Sequence, residues 1–203
     1  MLVFALSAGA VWAEPVTIAA LGDSLTQGYG LSPERGFVPQ LEAWLRAKGA
    51  DVAVQNAGVS GDTTRGGLAR IGWTLGGDVD ALIVNLGGND MLRGIDPGEA
   101  RRNLDAILAR GAEAGVALML VGLPAPGNYG PEYKASFDAI YPDLAKKFGA
   151  VYVANFLEPL ARDGRRIDPD LIQPDGIHTN AEGVAAIVES MGPAVLDLLE
   201  PLK

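Results

Sequence analysis

Gly22-Asp23-Ser24-Leu25-Thr26 directly follows the apolar run Val16-Thr17-Ile18-Ala19-Ala20-Leu21, so a serine hydroxyl stands on a glycine-led turn at the end of a candidate buried strand. That is one way to present a nucleophile at the open edge of a sheet. Such a serine needs a base, and the chain has one histidine, His178, in Asp175-Gly176-Ile177-His178. Acyl transfer also needs donors aimed at the oxyanion that develops on the attacked carbonyl. Two further segments offer them. In Val59-Ser60-Gly61-Asp62-Thr63 the missing side chain of Gly61 lets a backbone N–H approach a substrate, and in Gly87-Gly88-Asn89-Asp90 the side chain of Asn89 carries an amide. Taken singly, each piece has a plainer reading as a turn, a helix cap or a surface histidine. Taken together, in order and at matching strand ends, they point to one site.

The elements that must position these residues follow from the spacing of apolar side chains. Short runs rich in Val, Ile, Leu and Ala predict strands at Val16–Leu21, Asp51–Asn56, Ala81–Leu86, Ala117–Gly122 and Val151–Ala154. Longer amphipathic stretches predict helices at Phe37–Lys48, Thr64–Thr74, Pro97–Ala114, Tyr133–Phe148 and Ala181–Leu199. Gly49, Gly115 and Gly149 stand where helix C-caps are expected, and Pro97 suits a first turn. Strand and helix alternate, which implies an α/β protein: a three-layer α/β/α sandwich around a flavodoxin-like, doubly wound, five-stranded parallel sheet. In such sheets ligands bind at the carboxyl ends of the strands, where the strand order reverses. Ser24, Gly61 and Asn89 all fall at that end.

Length and composition narrow the function classes. With 203 residues, 48% hydrophobic and 20% charged, and no polar linker, residues 14–203 are expected to form a single domain. A net charge of −9 argues against a phosphate-backbone partner, and the pairs Arg101-Arg102 and Arg165-Arg166 are too isolated to line a groove. No cysteine is present, so there is no disulfide framework, thiolate nucleophile or Cys-based zinc site. Residues 1–13 are apolar apart from Ser7 and end in Val11-Trp12-Ala13 before Glu14-Pro15, like the apolar region and small-residue cleavage site of a secretory signal, though without Lys or Arg at the start. A periplasmic or secreted protein is expected. The segment is too short to span a bilayer, so no stable membrane insertion is expected.

Other chemistries lack their motifs. There is no Gly-x-Ser-x-Gly elbow, Ser-x-x-Lys pair, phosphate loop or dinucleotide fingerprint. One histidine without thiolates is a poor start for a transition-metal site, and the spacing of Asp168, Asp170 and Asp175 matches no EF-hand. Neither metal nor cofactor is expected.

The four segments Gly22-Asp23-Ser24-Leu25, Val59-Ser60-Gly61-Asp62-Thr63, Gly87-Gly88-Asn89-Asp90 and Asp175-Gly176-Ile177-His178 resemble the four sequence blocks of the SGNH hydrolases, also called the GDSL esterase/lipase family. The likeness runs from about Val16 to the C-terminus. It is nearest to bacterial periplasmic thioesterase I/lysophospholipase and arylesterase members in Asn56–Arg70 and Leu123–Phe148. The resemblance implies Ser24 as nucleophile, His178 as general base and then acid, and Asp175 as the carboxylate that orients the imidazole. It further implies an oxyanion hole from the N–H groups of Ser24 and Gly61 and the side chain of Asn89. A three-residue separation in a turn is compatible with Asp175 reaching the near ring nitrogen of His178. Asp23 and Asp90 are rival carboxylates whose places beside Ser24 and Asn89 suit turn support better.

The Pro- and Gly-rich segment Leu123-Pro124-Ala125-Pro126-Gly127-Asn128-Tyr129-Gly130-Pro131 resembles the mobile substrate-binding loop of thioesterase-like members. Leu123, Pro124, Asn128, Tyr129 and Ile177 are the expected substrate-binding residues. The expected activity is hydrolysis of carboxylic esters, acyl thioesters or lysophospholipids through an acyl-enzyme on Ser24, with a small-molecule acyl substrate and a monomeric chain. The alternatives are a polysaccharide O-acetylesterase and a non-catalytic flavodoxin-like ligand-binding module.

Overall fold

The computed structural model describes residues 14–162 and 166–202. The apolar segment 1–13, with its expected cleavage site, and Arg165 of the second basic pair lie outside the described residues. Val16–Gly22 (β1), Val52–Gly58 (β2), Ala81–Asn85 (β3), Ala117–Val121 (β4) and Val151–Val153 (β5) form one sheet in the order β2-β1-β3-β4-β5. All of its pairings are parallel, with Ile18 opposite both Val54 and Ala81. The chain leaves β1 toward one edge and returns to build β3 on the other side, so the strand order reverses between β1 and β3.

Near-continuous apolar strands form here because both faces of the sheet are covered. Ile18 and Ala20 of β1 point into a cluster with Leu41 and Leu45 of Phe37–Ala47 (α2) and with Ile187 and Val195 of Ala181–Leu199 (α8). Ala19 and Leu21 point the other way. They meet Ile71 of Thr64–Thr74 (α3) and Leu104 and Ile107 of Pro97–Glu113 (α5). Each fully buried Leu or Ile contributes about 1.5–3 kcal/mol, so these two layers hold the sheet rim in place. Two short helices, Ser24–Gln27 and Gly88–Leu92 (α4), lie directly on that rim.

One expected helix is two. The stretch 133–148 divides into Pro131–Asp138 (α6) and Ile140–Phe148 (α7). The cause is Pro142, which has no N–H to bond to the carbonyl of Asp138, four residues back, and whose ring crowds that carbonyl. A short antiparallel pair, Ala161–Arg162 with Arg166–Ile167, also precedes the histidine loop without a clear sequence signal.

Gly58 ends β2 against the backbone that follows Ser24. A Cβ there would lie 2.3 Å from the nitrogen of Gln27 and 2.9 Å from the carbonyl oxygen of Asp23. Replacing Gly58 with Ala must therefore push the serine turn off the sheet. We expect a loss of about 2 kcal/mol and a melting temperature lower by roughly 4–8 °C in thermal unfolding followed by circular dichroism. An unchanged melting temperature would mean that the turn yields freely.

Candidate active site

Ser24 is the first residue of Ser24–Gln27, and the side chain of Asp23 caps that helix by accepting from the N–H of Leu25 at 3.0 Å. The strand end behind it is braced by Arg70 of α3. Its guanidinium donates to the carbonyls of Gly22 (2.8 Å) and Ala57 (2.6 Å) and to the Asp62 carboxylate (2.6 Å). One side chain thus ties the ends of β1 and β2 to the turn that carries Gly61. Gly61 has φ +82, a left-handed conformation that favours glycine, and its carbonyl accepts from Arg93 Nη2 at 2.9 Å.

Asn89 stands in the first turn of α4, just past the carboxyl end of β3. The entry to α4 is held from below by Tyr141, whose buried hydroxyl donates to the Leu86 carbonyl at 3.0 Å. Asp90, fully buried, accepts from the N–H and hydroxyl of Thr64 at 2.8 and 2.6 Å and locks α4 to α3. The Asn89 amide nitrogen donates to Asp23 Oδ2 at 3.4 Å.

The histidine arrives from the far end of the chain. His178 Nε2 lies 3.0 Å from Ser24 Oγ, and His178 Nδ1 lies 2.6 Å from Asp175 Oδ2. The other carboxylate oxygen of Asp175 accepts from the N–H groups of Ile177 (2.9 Å) and His178 (3.0 Å). Gln173 fastens this loop to the segment after Ser24. Its side-chain amide donates to the carbonyls of Tyr29 (2.7 Å) and Thr179 (2.9 Å), while its backbone N–H donates to the His178 carbonyl (2.7 Å). The Tyr29 ring packs on the imidazole with centroids 4.5 Å apart.

Two carboxylates at the site are pushed in opposite directions. The backbone N–H and then the ring of His178, followed by the Ile177 N–H, pull the Asp175 carboxyl down to about 2, so it stays ionised at any working pH. Burial pushes Asp23 up to about 6, partly offset by the Leu25 N–H, the Asn89 amide and the charge of His178, and reinforced by Asp90. Among the described residues no group of three or more His, Asp or Glu side chains is placed to hold a metal ion.

The residues singled out from the sequence meet unevenly. Ser24, Asp175 and His178 form one row; Asn89 reaches that row through Asp23, and Gly61 lies in the neighbouring turn. Pro124, Asn128, Tyr129 and Ile177 are exposed. Leu123 differs from its expected role at a substrate surface: it is 4% exposed and belongs to the apolar core, because the strand direction turns its side chain inward. The loop it opens is strapped down by the Tyr129 hydroxyl on the Leu92 carbonyl (3.2 Å) and by Asp138 on the Ala125 N–H (2.7 Å). Arg70, Gln173 and Tyr141 were missed, since each acts through contacts distant in sequence and has no local signature.

A parallel α/β sheet with a serine, an imidazole and a carboxylate in hydrogen-bonded sequence at the β1/β3 switch point defines a hydrolase-type α/β protein. Residues 20–186 match the model of the GDSL-like Lipase/Acylhydrolase family, and the chain belongs to that family. It is a serine hydrolase acting on ester bonds, which sets aside the non-catalytic binding module. Esterase TesA of Pseudomonas aeruginosa is 35% identical over 90% of this chain and 89% of its own. The thioesterase 1/protease 1/lysophospholipase L1 of Escherichia coli K12 is also 35% identical, over 90% of this chain and 85% of its own. Among solved structures, the SGNH-hydrolase family esterase AlinE4 superposes with a TM-score of 0.76 at 43% identity, covering 93% of this chain and 98% of its own.

The Asp23 shift has a consequence for stability. Between its ordinary value of 3.8 and about 6 the folded protein holds a proton that the unfolded chain has released. The associated stability is therefore present below about pH 4 and lost as pH rises through 6. Relative to the wild type, Asp23→Asn should gain on the order of 2 kcal/mol between about pH 4 and pH 8, measured by urea unfolding at both. A difference between the two proteins that does not change with pH would show that Asp23 ionises normally.

Proposed function

We propose that Ser24 is the nucleophile of a two-step acyl transfer to water. Ser24 Oγ attacks the carbonyl carbon of an acyl ester or thioester while His178 Nε2 takes the hydroxyl proton. Asp175 holds the Nδ1 proton and stabilises the imidazolium. The N–H groups of Ser24 and Gly61 and the Asn89 amide receive the oxyanion. Collapse of the tetrahedral species breaks the bond to the leaving group, which departs with the proton from His178. Water, deprotonated by His178, then attacks the Ser24 ester and releases the acid. The observation that carries this reading is the unbroken row from Ser24 Oγ through His178 to Asp175, at 3.0 and 2.6 Å.

The substrate class follows from chemistry that does not discriminate among leaving groups and from the relatives' names, esterase, thioesterase/lysophospholipase and arylesterase, the last from Vibrio mimicus at 34% identity. We infer a broad hydrolase of acyl and aryl esters and acyl thioesters. Ile177 and Tyr129, 54% and 44% exposed, offer apolar surface for the acyl chain, with Pro124 and Asn128 at its edge and Leu123 supporting the rim from beneath. The apolar stretch 1–13 ahead of Glu14-Pro15 supports a periplasmic or secreted location.

Steady-state kinetics on a panel of aryl esters and acyl thioesters of graded chain length tests the reading. Ser24→Ala should abolish turnover of every member. Asn89→Ala should lower kcat by a factor on the order of 10²–10³ with little change in KM, as loss of one oxyanion donor does. An unchanged kcat in Asn89→Ala would remove that residue from the mechanism, and residual turnover in Ser24→Ala near the wild-type rate would remove Ser24.

A further inference from the structure

Asp23 is 2% exposed, its carboxylate lies between the start of the serine helix and α4, and the acyl-transfer steps above give it no role. Burying a carboxylate costs free energy unless hydrogen bonds or opposite charges compensate it, so its partners matter. Oδ1 accepts from the Leu25 N–H at 3.0 Å, and Oδ2 accepts from Asn89 Nδ2 at 3.4 Å. The backbone of α4 approaches closely on the same side: a Cβ on Gly88 would lie 3.1 Å from Oδ2 and 3.4 Å from Leu123 Cδ1. The carboxylate is thus wedged against the first turn of α4, with one oxygen on each of the two segments that bear the serine and the amide.

A side-chain amide can present either its N–H₂ group or its oxygen to a given point, and the two orientations differ little in shape. Only the neighbours decide. An ionised carboxylate accepts and never donates, so it stabilises the orientation in which Asn89 turns its nitrogen toward Asp23. One N–H of that nitrogen is then occupied and the second is left for the oxyanion. We propose that Asp23 is a positioning residue for the acyl transfer proposed above, fixing the orientation of the Asn89 amide through its Oδ2 so that a donor and not an acceptor faces the developing oxyanion. This rests on Asn89 serving as an oxyanion donor.

The sharpest probe is the nearly isosteric Asp23→Asn. Its side-chain oxygen can still cap Leu25, but its amide now meets Asn89 donor to donor, which drives Asn89 to turn its own oxygen to that side of the site. We expect kcat to fall by a factor on the order of 10² with KM little changed, a loss of the same order as that of Asn89→Ala. In the Asn89→Ala background the same substitution should change kcat by less than about twofold, because the group through which Asp23 acts is gone. Asp23→Ser, which retains a capping hydroxyl for Leu25 but withdraws the acceptor from Asn89, should lower kcat with the melting temperature near that of the wild type. This second variant keeps the test decisive where Asp23→Asn folds poorly.

Three results would overturn the proposal, and they differ in what else falls. Wild-type kcat in both Asp23 variants removes Asp23 alone. Equal losses from Asp23→Asn in the wild-type and Asn89→Ala backgrounds show that it acts on the serine turn and not through Asn89. A silent Asn89→Ala removes the oxyanion role of Asn89, and the positioning role of Asp23 goes with it.

Discussion

The hydrogen bond between His178 Nε2 and Ser24 Oγ, 3.0 Å long, joins residues 154 positions apart, and proton transfer tolerates little error in that distance. Neither segment is rigid alone. The serine sits on a single turn of helix, and the histidine sits on an irregular loop. What makes the contact possible is a set of struts from regular elements: Arg70 on α3 to three points at the sheet rim, Asp90 to Thr64 between α4 and α3, and Gln173 from the histidine loop to the backbone of Tyr29. The two apolar layers fix the sheet, the sheet fixes the rim, and these polar ties carry that precision outward to the contact between Ser24 and His178.

The site also shows where stability is given up. Asp175 is held ionised by two backbone N–H groups and an imidazole, whose hydrogen bonds outweigh the small desolvation penalty on its charged form. Asp23 is the opposite case, a carboxylate whose burial outweighs its two hydrogen bonds. An apolar or neutral residue would cost less there. A destabilising group beside the serine is compatible with the positioning role proposed for it, because Asp23, once ionised, can only accept from the Asn89 amide.

Much of this was legible in the sequence for physical reasons. Strands buried on both faces leave continuous apolar runs, so the strands after residue 16 were readable to within a residue or two, and α3 and α8 matched to the residue. Ser24, Gly61, Asn89, Asp175 and His178 could be named because chemistry restricts their types and the strand ends restrict their places. The break between α6 and α7 was latent in Pro142, whose missing donor acts four residues upstream and not at the proline itself. Leu123 illustrates a different limit: a position at the rim does not give the direction of its side chain, and this one points into the core. The side chains of Arg70, Gln173 and Tyr141 meet partners 6 to 144 residues away, most of them on other elements, and leave no local pattern.

The proposed reaction requires Ser24 to be an activated nucleophile within its His178–Asp175 row. The direct measurement is treatment of the folded protein with a fluorophosphonate, followed by intact mass and peptide mapping. One phosphonyl adduct per chain is expected, on the peptide containing Ser24, and none in His178→Ala over the same interval. A folded, ester-hydrolysing protein that takes up no adduct, or carries it on another residue, would contradict the proposed reaction.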